Sequence, residues 1–212
     1  MIDSNFIKNS KLIIQNVSRE TLDELNKYRL SILEKNREIN LISASTEKSI
    51  NTRHIIDSAQ TIDFIDKIDV KVCTDLGSGA GLPGIVLAIL MKPKKPQFKV
   101  IFYEKSYHKS NFLKEVSKKF DLNTKIIQKD VFREKNLVSD VIVARAFKPL
   151  PVILELVNSN FTKFKSIILF LGKNGKEMLD DTLSKWKFEY KEKKSLTSED
   201  SSLIKITNLK KK

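Results

Sequence analysis

The sequence is poor in the residues that cross-link a chain or ligate metal. Of 212 residues one is cysteine, Cys73, and two are histidine, His54 and His108, so an internal disulfide is impossible and a Cys/His metal site lacks its ligands. No metal is expected. Long apolar runs are missing too: the longest, Gly84 to Met91 (GIVLAILM), spans eight residues, far short of the ~20 needed to cross a bilayer. The N-terminus, MIDSNFIKNSK, has none of the apolar core that a signal peptide carries, so a cytoplasmic chain with no membrane partner is expected. Glycine is also scarce. There are six, and four of them, Gly77, Gly79, Gly81 and Gly84, fall within eight positions.

The remaining composition is that of an ordinary globular chain, with 41% hydrophobic and 31% charged residues, and the length suits one main domain. Net charge is +13, unevenly spread. Residues 1–71 carry 11 basic and 11 acidic side chains, residues 92–135 carry 13 and 5, and residues 163–212 carry 13 and 7. Such an excess suits a phosphate backbone, although only 6 of the 39 basic residues are arginine, and lysine enrichment can also be compositional. The terminal Lys210, Lys211 and Lys212 read as a disordered solubilising end.

Along the chain, Leu22, Leu25, Tyr28, Leu30, Ile32, Leu33 and Ile39 recur at helical spacing behind Ser18, a candidate N-cap. A second helical pattern runs from Glu47 to about Phe64 and carries Arg53, His54 and Asp57. Residues 1–66 therefore read as a helical layer packed on a core formed by residues 67–212. From Val72 short apolar runs alternate with helical ones. Strands are expected at Val72–Leu76, Phe98–Tyr103, Lys125–Gln128, Asp140–Ala144 and Ser166–Leu171, with helices at Leu82–Met91, Ser106–Phe120, Leu150–Asn158 and Gly175–Trp186. Two further strands, Phe188–Lys191 and Leu203–Thr207, have no helix between them. The alternation demands a parallel sheet covered on both faces, and the last pair an antiparallel edge. This is the α/β, doubly wound, seven-stranded Rossmann-like sheet common among S-adenosylmethionine-dependent methyltransferases, with an N-terminal helical extension.

The glycine cluster lies in VCTDLGSGAGLPG, a strand ending in an acid, then a tight turn, then a helix start with Pro83 in its first turn. At that position the loop lies in the crevice where open parallel sheets bind ligands, with the helix's N-terminal amides expected to face the ligand. Two cofactor classes fit. Gly79, Gly81 and Gly84 satisfy GxGxxG, and Glu104, 20 residues beyond Gly84, stands where a ribose acid belongs in a dinucleotide fold. The leading Asp75 and the extra Gly77 favour the S-adenosylmethionine form of the loop, and Glu104 can accept ribose hydroxyls under either reading.

The string GSGAGLPG, with Asn40-Leu41 and Arg53-His54-Ile55-Ile56-Asp57-Ser58 upstream and Arg145-Ala146-Phe147 downstream, resembles the bacterial 16S ribosomal RNA guanine-N7 methyltransferases, also called glucose-inhibited division protein B. The resemblance implies transfer of a methyl group from S-adenosyl-L-methionine to N7 of a guanine in 16S rRNA of the small ribosomal subunit, by an enzyme expected to be monomeric. It carries cofactor binding onto Gly77, Gly79, Leu82, Glu104, Val131, Phe132 and Arg145. Phe132 replaces the acid usual in the family, so its contact is expected through backbone or ring, and Leu171-Gly172-Lys173 replaces the usual Leu-Lys-Gly.

The chemistry agrees by omission. Guanine N7 has a free lone pair and needs no general base, leaving positioning and electrostatics to do the work. The Asn/Asp-Pro-Pro-aromatic motif of exocyclic-amine methylation is missing, and Cys73 sits within a strand as a small core residue. Arg53, His54 and Arg145 are the substrate-side candidates. Arg145 could hold cofactor or RNA phosphate, and Phe147 could stack on a base. Asp57, four residues after Arg53, is spaced for a helix ion pair with it. His108 reads as surface.

Overall fold

The structure, a computed structural model, describes residues 17–65 and 69–212. Of the layer expected over residues 1–66, residues 1–16 and Asp66 lie outside the described residues. Ser18 caps helix α1 (Arg19–Asn36), its hydroxyl accepting from the Thr21 amide at 3.2 Å. The helix stops three residues short of Ile39. The Asn36 side-chain oxygen accepts from the amides of Leu41 (2.8 Å) and Ile42 (2.9 Å), which folds the chain back. The second predicted helix is broken into pieces: helical turns at Ala44–Glu47, Asp57–Ala59 and Ile62–Ile65 flank a π-helical segment, Asn51–Ile56. The buried Ile50 and Ile55 stand five residues apart, the period of a π turn, a geometry often found at functional sites.

The main sheet has seven strands: β1 (Val72–Leu76), β2 (Lys99–Tyr103), β3 (Thr124–Ile127), β4 (Val141–Ala144), β5 (Ser166–Leu171), β6 (Trp186–Lys194) and β7 (Ser202–Lys211). Their order is β3-β2-β1-β4-β5-β7-β6, with β7 antiparallel to both neighbours and the other pairings parallel. Helices α2 (Gly84–Met91), α3 (Tyr107–Lys119), α4 (Leu150–Asn160) and α5 (Gly175–Lys185) connect the strands. Side-chain alternation along the strands builds two cores. Cys73, Val141 and Val143 face α2, α3 and α1, whereas Ile142, Ala144 and Leu76 face α4 and α5. Every residue of α2 is buried because α1 covers the side that the sheet does not.

One expectation fails at the C-terminus. Lys210 and Lys211 are not a loose tail but continue β7, paired with Lys187 and Trp186, and Lys211 reaches Glu155 at 2.9 Å. Backbone pairing overrides the charge of the run.

Candidate functional site

Chain order reverses at β1, which lies between β2 and β4, and the crevice this opens lies at the strands' C-terminal ends. The glycine loop forms its floor. The amides of Gly77 and Ser78 both donate to the Tyr103 carbonyl, at 2.9 and 3.2 Å, fixing the loop to the end of β2. Gly77 and Gly79 have φ of +66° and +56°, conformations that side chains resist. Their surroundings differ. A Cβ on Gly77 would lie 2.0 Å from the Phe147 ring, whereas one on Gly79 would meet nothing closer than 3.9 Å. Phe147 thus covers Gly77, and Gly79 faces open space.

Asp75, fully buried at the end of β1, accepts from the Gly84 amide at 2.8 Å through Oδ2, while its Oδ1 has no partner. Burial pushes its carboxyl up to about 7. The first amides of α2 are consumed internally, that of Ile85 by the Gly81 carbonyl at 2.7 Å, so the amides of Gly84 and Ile85 do not face the crevice as expected. The carboxylate that does is Glu104. It accepts from the Gly79 amide through Oε2 and the Ser106 amide through Oε1, both at 2.8 Å, tying the glycine loop to the start of α3. Tyr28 on α1 donates to the Ala80 carbonyl at 2.7 Å, holding the loop from the opposite side.

Two adjoining cavities share Gly77, Glu104 and Ala146. The first, about 290 Å³, includes Val131, Phe132 and three lysines, Lys105, Lys129 and Lys148. The second, about 380 Å³, includes Gly79, Leu82, Leu41, His54 and Arg145. Every cofactor-side residue expected from the sequence therefore lines one or both. Val131 is buried and Phe132 is 39% exposed, its ring 6.0 Å from that of Phe147. Asn160, at the end of α4, donates to the carbonyls of Val131 (3.1 Å) and Phe132 (3.2 Å) and fixes that loop; nothing in the sequence marked it.

Arg145 follows β4, and Ala146 after it takes φ +50°, a left-handed turn that costs on the order of 1 kcal/mol for a non-glycine residue and accompanies the placing of Phe147 over Gly77. The Arg145 guanidinium pairs with Asp57 Oδ2 at 3.3 Å, donates to the Arg53 carbonyl, and contacts His54 Nδ1 at 3.0 Å. Asp57 therefore serves Arg145 and not Arg53, because the π segment breaks the α-helical spacing that the sequence suggested. His54 is pushed down to about 4 by burial and by the Arg145 and Arg53 charges. It is neutral. With Nδ1 accepting from Arg145, its proton resides on Nε2 and is donated to Thr46 Oγ1 at 2.8 Å, which leaves it no free lone pair to act as a base. His108 and Arg53 are exposed and Cys73 is buried. Among the described residues no group of three or more His, Cys, Asp or Glu could hold a metal, and no helix is long and apolar enough to cross a membrane.

Residues 21–205 match the family described as rRNA small subunit methyltransferase G, GidB. The chain is 50% identical over 200 residues to the ribosomal RNA small subunit methyltransferase G of Pelagibacter ubique, covering 93% of both chains. To the protein of that name from Ruegeria pomeroyi it is 33% identical over 194 residues, covering 92% of this chain and 94% of the other. Among solved structures it shares its fold with the 16S rRNA methylase RmtB (TM-score 0.53, 12% identity, 97% of this chain and 80% of that one). A SAM-dependent methyltransferase from Aquifex aeolicus is similar too (TM-score 0.55, 14% identity, 78% and 98%).

Proposed function

The chain belongs to the rRNA small subunit methyltransferase G family, and we propose that it transfers a methyl group from S-adenosylmethionine to N7 of a guanine in 16S rRNA, acting on the small ribosomal subunit in the cytoplasm. The residues present fit that cofactor. Gly79 leaves its side of the loop open where a Cβ would fill the cavity, Glu104 presents a buried carboxylate for ribose hydroxyls, and Leu82, Val131 and Phe132 supply apolar lining. When bound, the cofactor would supply a methyl group on a sulfonium sulfur, an electrophile that the N7 lone pair could take directly, with the electron pair of the S–C bond left on sulfur.

No proton moves in that step. The single observation that carries the reading is that the crevice unites an open glycine cradle with a histidine whose lone pair is already taken. In such a site the histidine can orient but has no lone pair with which to deprotonate. Glu104 holds the loop, Arg145 and His54 form a rigid wall, and Lys105, Lys129 and Lys148 place positive charge at the rim, where RNA phosphates would be drawn. The test is twofold. S-adenosylhomocysteine should bind in equilibrium titration where NAD(H) does not, and labelled S-adenosylmethionine should pass label into the 16S rRNA of undermodified small subunits. Absence of label from rRNA, or binding of NAD(H) in its place, would refute the proposal.

A further inference from the structure

Beyond Arg145 the crevice continues into a third cavity of about 280 Å³, sharing His54, Arg145 and Ala146 with the second. Phe170, Leu171 and Gly172 at the end of β5 contribute its floor, and Thr197, Ser198 and Ser201 of the β6–β7 connection form its far wall. We propose that this cavity receives the guanosine nucleotide to be methylated, its base entering beside Arg145 and its phosphate meeting Arg53. The inference rests on the methyltransferase reading and adds to it the place of the reacting nucleotide.

Three observations and one general constraint support it. The volume lies near the low end of the ~300–1,000 Å³ found for small-molecule sites, a scale that suits one nucleotide base. A base in a duplex cannot reach the bottom of such a crevice, so the nucleotide must leave its stack, and a pocket that accepts it once extruded is required. The far wall is also fixed in advance. Ser195 and Thr197 donate to Asp57 Oδ1 at 3.0 and 2.9 Å, and the Leu196 amide donates to Gln60 at 2.8 Å, so the connection is latched onto the helical segment carrying Arg53 and His54. Finally, the two guanidiniums are differently employed. Arg145 is committed through Nε and Nη2 to Asp57, the Arg53 carbonyl and His54, which fixes its guanidinium beside the cavity. The Arg53 guanidinium is exposed at the cavity wall and makes no ion pair or hydrogen bond among the described residues, which leaves it free for a phosphate.

Gly172 provides the test. A Cβ there meets no atom within 4 Å, so Gly172→Phe should fill the cavity without disturbing the fold or the glycine cradle. The variant should keep the wild-type urea midpoint and S-adenosylhomocysteine affinity while kcat/KM for methyl transfer to small subunits falls by about 100-fold or more. A companion experiment reads binding alone: guanosine 5′-monophosphate titrated into protein saturated with S-adenosylhomocysteine should shift the amide resonances of Gly172 and residues 197–201 in the wild type and not in Gly172→Phe. Arg53→Gln should raise KM, leave kcat unchanged and reduce the salt slope of binding by about one. Full activity in a folded Gly172→Phe, loss of cofactor affinity in that variant, or nucleotide shifts confined to other residues would each overturn the placement. If the wild type passes no label to rRNA, the methyltransferase reading itself fails; if it does and Gly172→Phe is indifferent, only the nucleotide site fails.

Discussion

Removing the Asp57 carboxylate offers the sharpest check on the way the crevice is held together. The Asp57 and Arg145 side chains are only 13% and 16% exposed, so their pairing at 3.3 Å is weakly screened. Asp57 Oδ1 also accepts from Gln60 at 3.1 Å, Ser195 at 3.0 Å and Thr197 at 2.9 Å. Asp57→Ala leaves a mostly buried guanidinium without its counter-charge and removes the acceptor that Gln60, Ser195 and Thr197 share. Truncating one partner of a buried pair costs about 3–5 kcal/mol. The Arg53 carbonyl and His54 still hold the guanidinium, so the lower end, about 3 kcal/mol, is expected. In a chain of this size that corresponds to a fall of about 6–12 °C in Tm. Arg145→Met removes the cation and strands Asp57 instead, while the double variant removes both charges and should cost less than the two single losses combined, with a coupling of about 2 kcal/mol. Urea denaturation of the four proteins, monitored by circular dichroism with m-values checked for constancy, measures the cycle. Additivity to within about 0.5 kcal/mol would refute the claim that this pair organises the crevice.

Two further outcomes follow from groups around the glycine loop. Asp75 keeps its proton up to about pH 7 when folded but releases it near 3.9 when unfolded. Between those values the folded state binds more protons, so the group's contribution to stability falls as pH rises from about 4 to 7 and is level above that; the full change is on the order of 4 kcal/mol. Asp75→Asn removes the titration and should be the more stable protein at pH 8, its amide oxygen still accepting from Gly84; Tm curves for the two proteins that stay parallel from pH 4 to 8 would contradict this. Tyr28→Phe deletes a buried hydrogen bond to the Ala80 carbonyl and should cost about 1–2 kcal/mol, with faster hydrogen exchange at the amides of Gly79 and Gly81. Unchanged exchange there would show that α1 does not brace the loop.

What the sequence made legible is what is local. The strands of the parallel core and the four helices that follow β1 are read from periodicity, and the glycine loop from residue spacing, because each is set by neighbours within a few positions. The failures have a common physical origin in tertiary partners. Lys210 and Lys211 look like a solvated tail until β6 offers them a ladder. Arg53 and Asp57 look like an i,i+4 pair until the π segment directs Asp57 toward Arg145, 88 residues away in sequence. Ser195 and Thr197 carry no signal at all, since their meaning comes from a carboxylate 138 and 140 residues distant.

The glycines show how a single pattern can hide several causes. Composition treats the four clustered glycines as one loop signature, but the structure separates them by what stands opposite each. Gly84 leaves room for Phe102 and the Asp75 carboxylate, either of which a Cβ would meet at 2.4–2.5 Å, so its smallness serves the joint between helix and sheet. Gly77 leaves room for Phe147, 70 residues later in the chain, which makes GSGAGLPG and Arg145-Ala146-Phe147 two halves of one fitted surface. The left-handed turn at Ala146 is part of the same fit, because it accompanies the seating of that ring on the glycine face while Arg145 stays with Asp57 and His54. Gly77 and Gly79 both line the cavity, but of the two only Gly79 would carry a Cβ into open space. Gly79 thus keeps space open beside the loop, and the others act by letting Phe147, α2, α3 and the end of β2 close in around it so that a crevice exists.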